Sequence, residues 1–178
     1  MALQSSPAQQ VLAAIHQFDV AAFYWCLRRK HRRLMITNSR ILSRTADGPP
    51  YILCALAFGL QGWYSQVSIL LIGFMAERSS YYVLKNYFKR NRPPAALPGY
   101  QPELTPSDQF SFPSGHTSAA FLMAGLLCGL FPGWEPLLYP WACLVGVSRV
   151  MLGVHFPTDI VAGACLGTGL SLLVLGYL

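Results

Sequence analysis

The chain has 178 residues, of which 53% are hydrophobic and only 11% charged, with a formal net charge of +6. So little charge cannot cover an ordinary soluble surface, and the composition reads as a single-domain membrane protein. Nucleic acid is not the expected partner. Seven of the thirteen Lys and Arg lie between Arg28 and Arg44 and four between Lys85 and Arg92, where they flank apolar runs. Lipid headgroups and phosphorylated substrates suit cations placed that way. The five cysteines, Cys26, Cys54, Cys128, Cys143 and Cys165, stand singly in apolar runs. Neither a C-x-x-C pair nor a His/Cys cluster at metal-ligand spacing occurs, so small packing residues and no bound metal are expected. The start shows no signal peptide, since a basic n-region and a small-residue cleavage site are lacking.

Residues 1–10 are polar and are expected to be loose. From Val11 to Leu27, Val11, Ile15, Phe18, Ala22 and Trp25 recur at helical spacing, with Asp19 inside and Arg28-Arg29-Lys30-His31-Arg32-Arg33 directly after. This pattern predicts an amphipathic helix lying in the membrane interface, with His16 and His31 as ordinary interfacial residues. Thr45-Ala46-Asp47-Gly48-Pro49-Pro50 is a turn, and Pro50 can sit in a first helical turn. Five apolar spans are then predicted: about Tyr51–Trp63, Ser65–Lys85, Thr117–Phe131, Trp134–Leu152 and Asp159–Leu178. The last four are of a length that can cross a hydrocarbon core, and the first is rather short unless Pro49 and Tyr64 are included. Gly163-x-x-x-Gly167 suggests close helix packing. The expected fold is therefore all-α, a polytopic helical bundle. Residues 1–44 form a basic interfacial segment, and 45–178 form the membrane domain.

Counting spans brings three polar clusters to one membrane face. Lys85 ends the second span and Arg92-Pro93 follows after six intervening residues. Pro113-Ser114-Gly115-His116 opens the third. Ser148-Arg149 ends the fourth, and His155 and Asp159 precede and open the fifth. The Pro- and Gly-rich loop between Arg90 and Phe112 joins the first two clusters, so it is expected to roof them. The basic segment 28–44 lies on the same face, which the positive-inside rule makes cytoplasmic.

Cleaving a phosphate ester needs neutralised equatorial oxygens, an in-line nucleophile and an acid for the leaving oxygen. Lys85, Arg92 and Arg149 can supply the neutralisation, the two guanidinium groups binding oxygens in pairs. Ser114 fits a helix N-cap, Gly115 allows close backbone approach, and free N–H groups at a helix start attract anions. Pro157 separates His155 from the final helix and puts Asp159 in its first turn. A carboxylate there can hold one imidazole nitrogen and leave the other for phosphorus.

The order Lys-x6-Arg-Pro, Pro-Ser-Gly-His, Ser-Arg-x5-His-x3-Asp resembles the type 2 phosphatidic acid phosphatase superfamily over about residues 45–178. The resemblance implies a metal-independent membrane phosphatase without a cofactor, acting on a lipid phosphate or diphosphate, in a bacterium at the inner membrane. It makes His155 the nucleophile that becomes a phosphohistidine, Asp159 its orienting partner and His116 the acid for the leaving group. Lys85, Arg92, Ser114, Gly115 and Arg149 then bind the phosphate. Phosphatidic acid, phosphatidylglycerophosphate and an isoprenyl diphosphate such as the undecaprenyl carrier all fit. A phosphotransferase with the same phosphohistidine is the near alternative. Vanadium-dependent haloperoxidases share these motifs but are soluble, which five apolar spans disfavour. Nothing in the sequence signals an oligomeric state.

Overall fold

A computed structural model describes residues 6–28, 30–106 and 108–177; Arg29 of the basic run and Leu178 of the last expected span lie outside the described residues. Those described form helices α1 (Pro7–Leu27), α2 (Arg32–Arg44), α3 (Gly48–Leu60), α4 (Tyr64–Phe88), α5 (Pro93–Ala96), α6 (Gly115–Leu130), α7 (Glu135–Met151) and α8 (Pro157–Gly176). The only strand-like feature among them is an isolated bridge between Asn91 and Phe110. The fold is all-helical, as the composition and spacing predict.

The start of the chain differs from expectation. Residues 7–10 are helical, because Ser6 caps α1: its Oγ accepts from the Gln9 amide at 3.3 Å, and Gln9 Oε1 accepts from the Ser6 amide at 2.9 Å. Pro7, with no N–H to lose, fits the first turn. The apolar stripe predicted for α1 is exposed at Val11, Ile15, Phe18 and Trp25, while Asp19 and Phe23 are buried. Phe23 packs edge-on against Phe156 and Tyr100 at 5.7 and 5.1 Å between ring centroids. The basic stretch beyond α1 continues as the strongly amphipathic α2. Its Ile36 is buried with Leu152 and Val154 beside the end of α7.

Helices α3, α4, α6, α7 and α8 stand at the five expected places and alternate in direction. Two of them, α4 and α8, are long and apolar enough to cross a membrane by length and composition; α3 and α6 are shorter apolar helices. Their outward side chains are apolar, as at Ile52, Leu53, Leu71, Met75, Leu144, Val161 and Leu172. Such a surface has no penalty in lipid, but it also means that lipid competes on equal terms for every Leu and Val. Helices in that solvent associate through close packing of small residues. Here α8 lies on α6 nearly backbone to backbone. A Cβ at Gly163 would stand 2.7 Å from the Ser114 carbonyl oxygen, and one at Gly167 would stand 2.2 Å from that of Ser118. This contact brings the start of α8 beside the start of α6, where the Ser114 amide donates to the Asp159 carbonyl at 3.0 Å. All three polar clusters meet at that end of the bundle.

Candidate active site

The site is a cavity of about 340 Å³ lined by Arg78, Tyr81, Arg92, Asp108, Gly115, His116, Arg149 and His155, with Asp47, Tyr51, Phe74 and Ala119 among its other walls. Each element delivers its residue for a local reason. Helix α4 runs three residues beyond Lys85 and stops at Lys89, whose left-handed φ of 46° turns the chain. Helix α7 ends at Met151, and Gly153 takes the positive φ of 75° that reverses the chain into His155. A side chain there would also collide with the Tyr100 hydroxyl. Pro157 then starts α8, whose Asp159 Oδ2 accepts the Phe156 amide at 2.8 Å.

His155 is buried between two opposite charges. Its Nε2 lies 3.1 Å from Arg92 Nη1, and its Nδ1 lies 3.6 Å from Asp159 Oδ2, just beyond hydrogen-bond length. Burial pushes its pKa down to about 4, with Asp159 pulling upward and Arg92 and Arg149 pushing further down. The ring is therefore neutral near pH 7, the form with a free lone pair. Asp159 is held from its other oxygen by Arg90 at 2.8 Å, and Arg90 also reaches Asp19 on α1 at 2.5 Å. Asp19 in turn accepts from the Thr158 amide at 2.9 Å. Arg90 and Asp19 thus fix the carboxylate that faces His155. Neither belongs to a motif, and the sole signal for them is a cation and a carboxylate next to apolar runs.

Asp108 was also invisible to motif reading, being one of two carboxylates, with Glu103, in the Pro-rich loop. The loop does roof the site, and Asp108 is its contribution. Its carboxylate pairs with Lys85 at 2.6 Å and with the Arg92 guanidinium, and it accepts from the Tyr81 hydroxyl at 2.8 Å. Those donors hold its pKa down to about 2 against the effect of burial. Lys85 also donates to Tyr81 and does not line the cavity; Asp108 and Tyr81 stand between them. Arg92 donates further to the carbonyls of Asp108 at 3.0 Å and Val154 at 2.8 Å.

Gly115 and His116 line the cavity, whereas Ser114 lies behind its wall. Ser114 is the N-cap of α6 by position, but its Oγ accepts from Thr117 Oγ1 at 2.9 Å and makes no hydrogen bond to a first-turn amide. Gly115 is small enough to face Tyr81, whose ring edge would lie 2.9 Å from a Cβ. His116 Nε2 pairs with Asp47 Oδ1 at 2.9 Å, a partner from the turn before α3. Arg149 is buried; its Nη1 donates to Ser43 on α2 at 2.6 Å, and its Nε has no partner. Behind the turn, Arg78 donates to the fully buried Glu77 at 2.5 and 2.6 Å and to the Gly115 carbonyl at 3.3 Å, while Ser118 donates to Glu77. This bracket ties the first turn of α6 to α4. Among the described residues, no three His, Cys, Asp or Glu side chains form a group that could hold a metal.

The site thus brings together a neutral histidine backed by a carboxylate, two guanidinium groups and a second histidine, drawn from all three motifs. The family model of the PAP2 superfamily matches residues 61–178. The chain belongs to the PAP2 superfamily. It is 35% identical over 120 residues to phosphatidylglycerophosphatase B of Bacillus subtilis (strain 168), covering 61% of this chain and 56% of that relative. The chain therefore spans little more than half the relative's length. Among solved structures, the PAP2 fold is matched by the crystal structure of Aquifex aeolicus LpxE, with a TM-score of 0.78 and 26% identity over 89% of this chain and 94% of that one. It is matched too by the transmembrane PAP2 type phosphatidylglycerolphosphate phosphatase from Bacillus subtilis, with a TM-score of 0.77 and 27% identity over 92% and 86%. With these PAP2 neighbours and its apolar helices, the chain is a membrane protein.

Proposed function

We propose that the chain is a membrane-embedded phosphatase that removes the terminal phosphate from a lipid phosphate or diphosphate through a phosphohistidine on His155. The observation that carries this reading is the pair of distances about one ring: Asp159 Oδ2 at 3.6 Å from Nδ1, Arg92 Nη1 at 3.1 Å from Nε2. Nδ1 is thereby turned to a carboxylate, and Nε2 to the cation that would hold the phosphate oxygens. Nε2 attacks phosphorus, the N–P bond forms as the bond to the leaving oxygen breaks, and His116 gives that oxygen its proton. Asp159 stabilises the charge that the ring acquires. Water, deprotonated by His116, then breaks the N–P bond and releases inorganic phosphate. Arg92, Arg149 and Lys85, with the amides at Gly115 and His116, neutralise the developing charge, the task a metal performs in other phosphatases. Lys85 acts from one layer back, its ammonium 2.6 Å from the Asp108 carboxylate that stands between it and the cavity.

In this reading α3, α4, α6, α7 and α8 are the five spans of a catalytic domain at 45–178. Helices α1 and α2, within the basic segment 1–44, lie at the interface on the site face. The membrane is the bacterial inner membrane and the site faces the cytoplasm. Detergent-purified protein in EDTA is expected to release phosphate from at least one of phosphatidic acid, phosphatidylglycerophosphate and undecaprenyl diphosphate. His155→Ala is expected to abolish that release while eluting as the parent does. Strict dependence on Mg²⁺, or turnover surviving in His155→Ala, would defeat the mechanism.

A further inference from the structure

A second cavity, of about 550 Å³, opens beside the first and shares Asp47, His116 and Arg149 with it. Its remaining walls bring Arg40 and Arg44 from α2 and Glu103 from the roof loop. The charges there are unevenly matched. Asp47 is engaged by His116 at 2.9 Å, and Glu103 by Arg32 at 2.8 Å and Arg40 at 3.7 Å. Arg44 makes no side-chain hydrogen bond or ion pair with any described residue, and the Nε of the 4% exposed Arg149 is buried without a partner. Two guanidinium groups thus border one cavity with donors to spare. Arg44 is exposed; the buried donor is Arg149 Nε, and a buried donor left unsatisfied costs free energy that an anionic ligand would recover.

The position of this cavity says which part of a substrate would reach it. His116 stands on the boundary between the two cavities, and on the phosphatase reading, on which this inference rests, His116 protonates the leaving oxygen. What lies beyond His116 is therefore the leaving group. We infer that the Arg40–Arg44 cavity binds a second phosphate-type anion carried by that leaving group. The substrate class is then a lipid diphosphate, or a phosphomonoester whose leaving group holds a phosphodiester. A monoester that leaves as a neutral alcohol brings nothing for Arg44 to bind. An arginine serving only as a headgroup anchor would favour all of these lipids alike, because it acts on the bilayer and not on the bond being cleaved.

The test compares kcat/KM for farnesyl diphosphate, phosphatidylglycerophosphate and phosphatidic acid in the full-length protein, Arg44→Gln, Arg40→Gln/Arg44→Gln and Arg44→Lys. The expected result is a fall of about tenfold in the ratio of a two-anion substrate to phosphatidic acid in Arg44→Gln, the scale of one charge-assisted contact. A larger fall is expected in the double variant, and partial recovery in Arg44→Lys. Whichever ratio falls, diphosphate or diester, names the source of the second anion. Unchanged ratios for both overturn the subsite, even if every rate drops together, and leave the phosphatase reading standing. Should no lipid be hydrolysed, that reading fails and calorimetric binding decides the subsite alone. Methylenediphosphonate is expected to bind about tenfold more tightly than methylphosphonate, with the advantage lost in Arg44→Gln; equal binding of the two overturns it.

Discussion

At the residue scale, the proposed nucleophile is an imidazole kept neutral among cations. Burial lowers His155 to about 4, and the neighbouring guanidinium groups act in the same direction. An ordinary histidine, near 6.5, would spend much of its time protonated in mildly acidic conditions and unable to attack. Nitrogen-15 spectra of histidine-labelled protein are expected to show the His155 ring still neutral at pH 5.5; titration near 6.5 would contradict the assigned environment. The same shift couples to stability. Between about pH 4 and 6.5 the unfolded chain binds a proton at His155 that the folded chain refuses, so stability falls as pH drops through that window. Asp108, held down to about 2, acts in the same direction at lower pH. Its contribution is complete above the ordinary aspartate value and is lost as pH falls through about 2. The protein should therefore be acid-sensitive from both groups. His155, Asp159, His116, Arg92 and Arg149 were legible in the sequence because each stands in one of the three motifs. Asp108, Asp47, Arg90 and Asp19 were not, since each reaches the site from a segment whose local pattern only says loop, turn or helix.

At the scale of the elements, the contact between α6 and α8 sets the distances that catalysis would use. A methyl group at Gly167 would sit 2.2 Å from the Ser118 carbonyl oxygen and 2.7 Å from the Leu122 amide nitrogen. Both are backbone atoms that no rotamer change can move, so the helices must part. Overpacking of this kind costs about 1–3 kcal/mol, and the shift carries Asp159 and His155 away from the α6 turn. Gly167→Ala is expected to lower the thermal midpoint in detergent by several degrees and to reduce phosphate release at least tenfold. Gly169→Ala, where a Cβ meets nothing within 4 Å, is the matched control and should leave both nearly unchanged. A Gly167→Ala protein as stable and active as its control would show that the close approach is not needed. The Gly-x-x-x-Gly spacing pointed to packing, but not to the partner. Helix α2 was read only as a basic segment, although Arg32, Ile36, Ser39, Arg40 and Ser43 recur at helical spacing. Its run of cations obscured the face that Ile36, Ser39 and Ser43 bury.

At the scale of the whole molecule, alternating helices gather the polar groups at one end and leave apolar side chains around the rest. Helix α8 starts at the site and runs away from it, so its last residue, Gly176, lies at the far end of the bundle. With the site in the cytoplasm, a fluorescent protein that matures only inside the cell should stay dark when fused to the C-terminus and glow when fused to the N-terminus. The reverse pattern would place the site outside. The five cations between Arg28 and Arg33 carry that expectation, because cations near an anionic phosphate site, Arg40 and Arg44 included, would be needed on either face.

Composition and the three motifs by themselves determined an all-helical membrane protein, the order of its five apolar segments and the face on which its reactive groups gather. These follow from local rules: apolar length against bilayer thickness, turn residues between helices, and polar motifs placed at the ends of apolar segments. Only the tertiary structure decided which carboxylates stand behind the cations and histidines, that Lys85 and Ser114 lie one layer back from the cavity, and that α2 brings Arg40 and Arg44 beside His116. The pairs concerned lie 23 residues apart for Lys85 and Asp108, 69 for Asp47 and His116 and 71 for Asp19 and Arg90. No local pattern marks partners so far apart in sequence; they meet because apolar helices must pack side by side, and their polar ends then find one another.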